Sequence, residues 1–378
     1  MATVPATATS DPVPLVDGQP LCGVVGEGEP AVLPEGSSLT VGTYNILHSQ
    51  GEHDAANLTL RRPQIVQAML AADADVWGLQ EVTNNSEHGR IAELIAKELA
   101  ARTGQRWEWC WFLSNPHFPG EPDVQEGGGG PLSEAIAQQS NFPEAGDFRE
   151  GLGIVTRFDI VDQRSRRLTA RAYEAPLCIP PDPLGCNLPA VFDSRQVMWA
   201  RIDTGPTTGE FDFFNTHLAH PLTEASDLTR RTQIEVALAI IDEWATPGDP
   251  DFFVGDFNTR AVDDPDAPFA SDADRYRRVL DAGFVDTYAE SGAVECGTHP
   301  TQDWRGCTSD QPLLTDTREP AVTKRIDFVF ARSESCSLSV GASEIIGTTA
   351  KHQSDGRWLW PSDHFGVVST VSDACPPS

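Results

Sequence analysis

FFVGDFN, residues 252–258, is a short apolar run of the β type that ends in a polar turn containing Asp256 and Asn258. The body of such a strand belongs in a hydrophobic core, whereas side chains at its end are held rigidly at the rim of a sheet. Asp and Asn are also ordinary turn formers, so this segment alone is compatible with a purely structural role. Its significance depends on whether other strands end in the same way.

Five further segments place polar side chains at or beside the ends of apolar strands. They are Asn45 in TYNIL (43–47), Gln80 and Glu81 in GLQEV (78–82), Asn215 and His217 in FNTHL (214–218), Asp327 in RIDFVF (325–330), and Asp363 and His364 in SDHFG (362–366). Any one of them is more simply explained as a turn former or a hydrogen-bonded core histidine. Six such segments together indicate that their polar residues meet on one rim.

Short strands outnumber helices between these segments, and neighbouring strands are often joined by short turns. Helical patterns occur at LRRPQIVQAMLAADA (60–74), RIAELIAKELAART (90–103) and LTRRTQIEVALAIIDEWA (228–245). This arrangement favours an α+β sandwich over a doubly wound parallel sheet. In the alternating strand WEWCWF (107–112), Trp107, Trp109 and Trp111 share one face, which we interpret as part of the core.

The amino-acid composition limits the classes of function that the protein can have. The 378 residues are 39% hydrophobic, and 27 basic against 56 acidic residues give a net charge of −29, which disfavours a broad electropositive surface for nucleic acid. No apolar run approaches the ~18 residues of a membrane span. The sequence contains no G-x-S-x-G, no phosphate-binding P-loop and no H-E-x-x-H. These absences exclude the common signatures of serine hydrolases, nucleotide hydrolases and zinc proteases.

The chain is predicted to have one catalytic domain with additions. Residues 1–38 are rich in Ala, Thr, Pro and Gly and predict a flexible tail, and 39–373 form the domain. Insertions are expected near 114–148, which contains four consecutive glycines, and near 296–318.

Cysteine usage favours an oxidising compartment. None of the eight cysteines forms a C-x-x-C pair, and Cys178 with Cys186 and Cys296 with Cys307 are close enough in sequence to predict local disulfides. The first residues, MATVPATATSDPVP, carry no signal segment, and we expect that one has been removed. Secretion is therefore predicted.

In this order, the six segments resemble the endonuclease/exonuclease/phosphatase superfamily, which includes deoxyribonuclease I, abasic-site endonucleases, neutral sphingomyelinases and inositol polyphosphate phosphatases. The resemblance runs from about residue 39 to residue 371, and GLQEV, GDFN and SDHFG are its most specific parts. GLGIVTRF (151–158) and GFVDTY (283–288) support it. It implies a deoxyribonuclease I-like fold, a four-layer α/β/β/α sandwich with two packed, mostly antiparallel sheets.

The resemblance also implies a metal site. Glu81 is the expected ligand, Asn45 its neighbour, and Asp363 a second acidic position that helps to hold the ion. Hard oxygen donors suit Mg²⁺, with Mn²⁺ or Ca²⁺ as alternatives, and the absence of a thiolate or paired-histidine set argues against zinc. Asn45 can also donate to the substrate phosphate.

The remaining residues of the resemblance have roles in phosphoester hydrolysis. Asp256 is expected to orient and deprotonate the attacking water, and Asn258 to donate its amide to a phosphoryl oxygen. His364, held by Asp327, is expected to contact the phosphate as a cation. His217 also contacts the phosphate and is the expected general acid toward the leaving oxygen.

Several questions stay open at this level. Glu150 is one weak candidate for the acidic partner of His217, which we leave unassigned. His220 is interpreted as a loop residue outside the chemistry. We expect a monomer that acts on a phosphoester, either nucleic acid or a phospholipid or small phosphodiester. A secreted phosphodiesterase or nuclease is the leading hypothesis. A sphingomyelinase-type lipid phosphodiesterase, an inositol-phosphate-type phosphatase and a non-catalytic binding protein are the alternatives.

Two sets of residues bear on the substrate. The stretch DQRSRRLTAR (162–171) offers four arginines that either follow a phosphate backbone or form a solvated strand face. Trp304, Trp358 and Trp360 either dock on a membrane or are buried.

Overall fold

A computed structural model of the chain describes residues 17–18, 20–48, 58–85, 89–115, 150–168, 195–220, 224–262, 272–297, 304–335 and 338–373. Most of the predicted insertion at 114–148, together with Arg171 and the predicted pair Cys178–Cys186, lies outside these residues.

The described residues form two large sheets, a small three-stranded sheet and five helices. The strands are β1 (Asp17–Gly18), β2 (Leu21–Val25), β3 (Leu39–Asn45), β4 (Val76–Asn85), β5 (Gly89–Arg90), β6 (Trp107–Asn115), β7 (Glu150–Thr156), β8 (Asp159–Arg167), β9 (Gln196–Asp203), β10 (Glu210–His217), β11 (Asp251–Asp256), β12 (Val285–Asp286), β13 (Leu314–Thr315), β14 (Asp327–Arg332), β15 (Leu338–Ile346), β16 (Lys351–His352), β17 (Trp358–Leu359) and β18 (Gly366–Asp373). The helices are α1 (Leu58–Ala72), α2 (Ile91–Thr103), α3 (Glu224–Trp244), α4 (Asp272–Asp281) and α5 (Thr287–Glu290). Within these residues, no helix is long and apolar enough to cross a membrane.

Strand order defines the two large sheets. One sheet has the order β1-β8-β9-β10-β11-β14-β12, and the other has the order β15-β18-β3-β4-β7-β6-β2, with β5 paired to β4. Only β3–β4 and β10–β11 pair in parallel among the described strands. The sheets are therefore mostly antiparallel.

Alternation along the strands separates the apolar side chains into successive layers. On β10, Phe213 faces the core between the two sheets together with Val254, while Phe214 faces the opposite side and packs with Ile241 of α3. On the outer face of the other sheet, Trp77 packs in the core that α1 and α2 cover. The layers follow as helices, sheet, sheet and helices, which confirms the predicted four-layer sandwich.

The tryptophans of β6 lie in the core as predicted. Trp107, Trp109 and Trp111 are all buried in the same cluster as the inner face of α2. Cys110 and Phe112, which alternate with them, face the core between the sheets. These rings therefore hold α2 against its sheet.

Part of the predicted tail belongs to the fold. Within 1–38, which we expected to be flexible, β2 pairs antiparallel with β6, and Cys22 forms a disulfide with Cys110. The tail prediction is wrong for this strand because β2 buries little of its own surface and its sequence carries no core signal. The predicted disulfide between Cys296 and Cys307 is present.

Candidate active site

Three predicted site residues lie in one row across adjacent strands. His217 ends β10 and is paired in register with Asp256, which ends β11. Asp256 is in turn opposite Asp327, the first residue of the antiparallel strand β14. The register alone brings these side chains to the same edge of the sheet.

The second sheet contributes residues at the corresponding edge. Asn45 ends β3 and is in register with Gln80 of the parallel strand β4, so Glu81 follows directly beyond that pair. Glu81 lies where the β4–β7 register shifts, and its φ of 56° is in the left-handed region. A bulge of this kind re-aims a side chain. His364 precedes β18, which runs antiparallel to β3 and so returns to the same edge.

Asn45 joins the two sheets at this edge. Its Nδ2 atom donates to Glu81 Oε1 at 2.9 Å and to Asp256 Oδ2 at 3.0 Å. Because both partners are carboxylates, the amide orientation is fixed and both N–H groups are used. Asn45 Oδ1 accepts the backbone N–H of Leu47 at 3.1 Å. Donation to a phosphate would therefore replace one of the two carboxylate bonds.

Asp256 is the centre of the network. Besides Asn45, its Oδ2 atom lies 3.4 Å from His217 Nε2 and 3.7 Å from His364 Nε2. The carboxylate is almost fully buried, at 1% exposure, so its charge is little screened by solvent. Two histidines therefore face the same oxygen of this carboxylate.

Asn258 is fixed in the turn that follows Asp256. Its backbone N–H donates to Asp256 Oδ1 at 2.8 Å, and its φ of 48° is again left-handed. One amide hydrogen is donated to the carbonyl of Leu218 at 2.9 Å, and the buried Arg230 donates to the carbonyl of Asn258. The turn is thus held on three sides.

His364 and Asp327 form a buried ion pair. His364 Nδ1 lies 2.9 Å from Asp327 Oδ2. Burial alone would lower the pKa of His364, but the charges of Asp327 and Asp256 hold that pKa well above its ordinary value. Burial raises the pKa of Asp327 to about 6, against the lowering effect of His364. At neutral pH the pair is therefore an imidazolium facing a carboxylate.

The residues expected at the metal are suited to a divalent cation. Burial would raise the pKa of Glu81, but the charge and hydrogen bond of His48, with smaller contributions from His217 and Asn45, hold it well below its ordinary value. Burial raises the pKa of Asp363, as does the charge of Glu81, against the lowering effect of His364. The two acidic groups form a hard donor set, whereas Asn45 contacts Glu81 through Nδ2 and its oxygen accepts the Leu47 N–H.

We call the eight predicted residues the strand-end cluster. They are Asn45, Glu81, His217, Asp256, Asn258, Asp327, Asp363 and His364. Gln80 and Asn215, which the sequence also predicted at strand ends, lie within β4 and β10 and are not part of it. Gln80 Nε2 donates to Asn215 Oδ1 at 2.7 Å, and this buried bond links the two sheets.

Three residues of the site were not assigned from the sequence. His48 Nδ1 lies 2.5 Å from Glu81 Oε2, and Arg195 Nη1 lies 2.7 Å from His217 Nδ1. Glu150, left open above, lies 3.5 Å from His217 Nδ1. The only local signal was position: His48 follows the strand that Asn45 ends, and Arg195 directly precedes β9.

The arginines of the basic stretch on β8 interact with other groups of the protein. Arg164 pairs with Asp162 at 2.9 Å and its guanidinium lies over the ring of Trp199. Arg166 pairs with Glu243 at 2.6 Å, and Arg167 donates to a backbone carbonyl. For these arginines the structural interpretation is the better supported one.

The tryptophans considered for membrane docking differ in exposure. Trp360 is fully buried, whereas Trp304 and Trp358 are partly exposed. Trp358 packs against His352 in the small sheet.

A family model described as the endonuclease/exonuclease/phosphatase family matches residues 42–364, which include the whole strand-end cluster. The chain belongs to this family. Its members are phosphoester hydrolases that depend on a divalent metal. No curated protein matches the sequence.

Solved structures similar to this family member include enzymes with different substrates. An endonuclease/exonuclease/phosphatase from Beutenbergia cavernae is 18% identical, with a TM-score of 0.56 over 89% of this chain and 72% of its own. A mannosyl-6-phosphatase of Bacteroides thetaiotaomicron is 20% identical, with a TM-score of 0.56 over 89% and 100%. TDP2 of D. rerio, in complex with a single-strand DNA product, is 17% identical, with a TM-score of 0.51 over 89% and 99%. At these identities the likeness shows the fold alone.

Proposed function

We propose that this family member is a secreted, divalent-metal-dependent phosphodiesterase. The observation that carries the proposal is the position of Asn45, whose amide joins Glu81 to Asp256 while Asp256 faces His217 and His364. A metal ligand, a base and two phosphate-facing imidazoles are thereby within one small volume. Metal-assisted hydrolysis of a phosphoester uses groups of these kinds.

Each side chain has a role in that reaction. Glu81, Asn45 and Asp363 would hold the divalent ion, which when bound neutralises charge on the phosphate. Asp256 takes the proton of the attacking water, and the His364 cation contacts a phosphoryl oxygen.

Two further residues would contact the substrate. Asn258 donates its second amide hydrogen to the phosphate, since the first is used by Leu218. His217, which like His364 faces Asp256 Oδ2, would contact the leaving oxygen.

Charge favours a diester over a monoester. A phosphodiester carries one negative charge and a phosphomonoester up to two at neutral pH, so a chain with a net charge of −29 repels the diester less. Arg164 and Arg166 of β8 are already paired with carboxylates of the protein. This likewise favours a small phosphodiester over a long polyanion. A nuclease remains the second candidate, because the TDP2 structure of the same fold holds a DNA product.

Secretion, domain organisation and oligomeric state are also proposals. The disulfides Cys22–Cys110 and Cys296–Cys307 are typical of an oxidising compartment and support secretion. One catalytic domain over 39–373, extended by β2, is supported by the strand-end cluster, whose members are spread over most of that length. Because every member comes from one chain, we propose a monomer.

A substrate panel tests the function. Bis(p-nitrophenyl) phosphate, p-nitrophenyl phosphate, plasmid DNA, RNA, sphingomyelin and inositol phosphates are each incubated with Mg²⁺, Mn²⁺, Ca²⁺ or EDTA. We expect chelator-sensitive hydrolysis of at least one diester, faster than that of the monoester, and a loss of on the order of 10²–10⁴ in Asp256→Asn. No hydrolysis of any ester, or equal rates in folded Asp256→Asn, would overturn the proposal.

A further inference from the structure

Helix α1 carries a buried arginine that contacts the turn after Asn45. Arg61 lies near the start of α1 and is 0% exposed. Its Nη1 atom donates to the carbonyl of Ile46 at 2.7 Å, and its Nη2 atom donates to the carbonyls of Leu47 at 2.8 Å and His48 at 3.3 Å. One guanidinium therefore holds three successive carbonyls of this turn.

The same guanidinium also contacts the segment that leads to His364. Arg61 Nη1 donates to the carbonyl of Pro361 at 2.9 Å, 300 positions along the chain. The next residue, Ser362, donates its hydroxyl to the carbonyl of Asn45 at 2.8 Å and accepts the backbone N–H of His364 at 3.2 Å. Arg61 and Ser362 thus join the backbones of two segments that carry members of the strand-end cluster.

The turn that Arg61 holds has a strained conformation and orients Asn45. Leu47 has a φ of 52°, in the left-handed region, which a residue other than glycine keeps only where its surroundings enforce it. The backbone N–H of Leu47 donates to Asn45 Oδ1 at 3.1 Å, and this bond directs Asn45 Nδ2 toward Glu81 and Asp256. A group that holds the turn therefore also fixes the amide that joins the two sheets.

The charge and the shape of the Arg61 guanidinium have opposite consequences for a nearby metal ion. Burial lowers the pKa of Arg61 to about 10, against the raising effect of the charge of Asp363, so the group is a cation at neutral pH. By its charge alone, this cation repels a divalent ion and weakens its binding. By its planar shape, the guanidinium donates to several carbonyls at once, which a compact ammonium cannot match. The sign of its effect on metal affinity therefore separates the two properties.

We infer that Arg61 is a positioning residue for the metal site, which fixes the turn after Asn45 against the segment before Asp363. In the proposed function, on which this inference rests, Asn45, Glu81 and Asp363 hold the ion. Arg61 contacts neither the ion nor the substrate in this role and acts through backbone carbonyls. Groups that orient metal ligands contribute to affinity because the ion then does not have to order the ligands itself.

Direct binding of Mn²⁺ tests the inference without a substrate. Free Mn²⁺ is measured by electron paramagnetic resonance during titration of the full chain, and the ion of the site is the one whose binding weakens in Glu81→Gln. We expect its Kd to rise by about 10–100-fold in both Arg61→Lys and Arg61→Met, because neither side chain can hold the four carbonyls. Arg62→Lys is the matched control, since Arg62 pairs with Glu98 at 2.6 Å and its variant should bind Mn²⁺ as the wild type does.

A second variant removes a smaller part of the same contact. Ser362→Ala deletes only the hydroxyl that holds the carbonyl of Asn45, and it should also raise the Kd for Mn²⁺. This variant decides the question if neither Arg61 variant folds, and a wild-type Kd in folded Ser362→Ala would then overturn the inference.

The Arg61 variants separate positioning from the other roles of a buried cation. Tighter Mn²⁺ binding in Arg61→Met, with wild-type binding in Arg61→Lys, would show that Arg61 acts through its charge. A lower Tm with an unchanged Kd in both folded variants would show that it only stabilises the fold. Either result overturns the inference and leaves the proposed function intact. A wild type that binds no ion dependent on Glu81 would overturn both.

Discussion

At the scale of the residue, backbone strain coincides with the proposed chemistry. Glu81 and Asn258 both have left-handed φ values, of 56° and 48°, and neither is glycine. Such conformations cost of order 1–3 kcal/mol and persist only where the surroundings enforce them. Here the bulge of β4 and the bonds around the Asn258 turn do so, and both side chains face the strand-end cluster.

The buried ion pair predicts the effect of removing its histidine. His364→Ala should lower kcat by on the order of 10²–10⁴, because a cation that contacts the phosphate in the transition state is lost. Steady-state rates on the best ester of the panel measure the loss, with folding checked by circular dichroism. Activity near wild type in folded His364→Ala would place the cation elsewhere.

His352 is the matched control for that variant. It is exposed on the small sheet, and His352→Ala should retain wild-type activity. His220, which we expect to lie outside the chemistry, is less suitable as a control because it lies three positions beyond His217, the end of β10.

Replacing Glu81 should change the Mg²⁺ concentration that the reaction requires. In Glu81→Gln one hard anionic ligand becomes a neutral one while Asn45 and Asp363 remain, so the Mg²⁺ concentration for half-maximal rate should rise by at least tenfold. The measurement is a Mg²⁺ titration of wild type and variant at saturating substrate. An unchanged midpoint would remove Glu81 from the metal site.

At the scale of the element, the two disulfides restrain very different lengths of chain. Cys22–Cys110 attaches β2 to β6 across 88 positions, whereas Cys296–Cys307 closes a separation of 11. In the chain-entropy account, the longer loop restricts the unfolded state more. The strand β2, which buries little surface, depends on this link for its place in the sheet.

Removing each disulfide separately should therefore have unequal effects. The double variant Cys22→Ser/Cys110→Ser should lose about 4–5 kcal/mol of unfolding free energy, and Cys296→Ser/Cys307→Ser about 3 kcal/mol. Urea unfolding with the free energy extrapolated to water measures both. The reverse order would show that strain or residual structure in the unfolded state outweighs loop length.

At the scale of the whole molecule, a carboxyl pair links stability to pH. Burial, with a hydrogen bond to Asp159, raises the pKa of Glu108 to about 7, and the same bond lowers the pKa of Asp159. The folded state therefore holds a proton on Glu108 that the unfolded state releases near its ordinary value of 4.5. This contribution to stability is present below pH 4.5 and is lost as the pH rises to about 7.

Glu108→Gln should flatten this dependence. Its amide can donate to Asp159 at every pH, as the protonated carboxyl does, and its oxygen can accept from the backbone N–H of Ile160. The unfolding free energy of the variant relative to wild type should thus rise between pH 4.5 and pH 7. Urea unfolding across this range tests it, with the exposed Glu27→Gln as control. A constant difference would show that Glu108 titrates normally.

Much of the site was predictable because its members end regular strands. Asp256 and His217 follow apolar runs whose alternation is local, and a strand end fixes which side chains reach the rim. The family motifs added Asn45, Glu81 and His364, which the fold brings to the same edge. The α+β sandwich followed from the same local patterns.

Only the tertiary structure determined the contacts between segments whose own sequences do not indicate a partner. Arg195 precedes an ordinary strand, and only the packing brings it within 2.7 Å of His217, 22 positions away. Likewise, β2 looks like part of a tail until β6 pairs with it. Sequence periodicity reports which face of an element is buried, because that depends on neighbours along the chain. Partner and protonation state depend on neighbours in space, which only the packing of the two sheets determines.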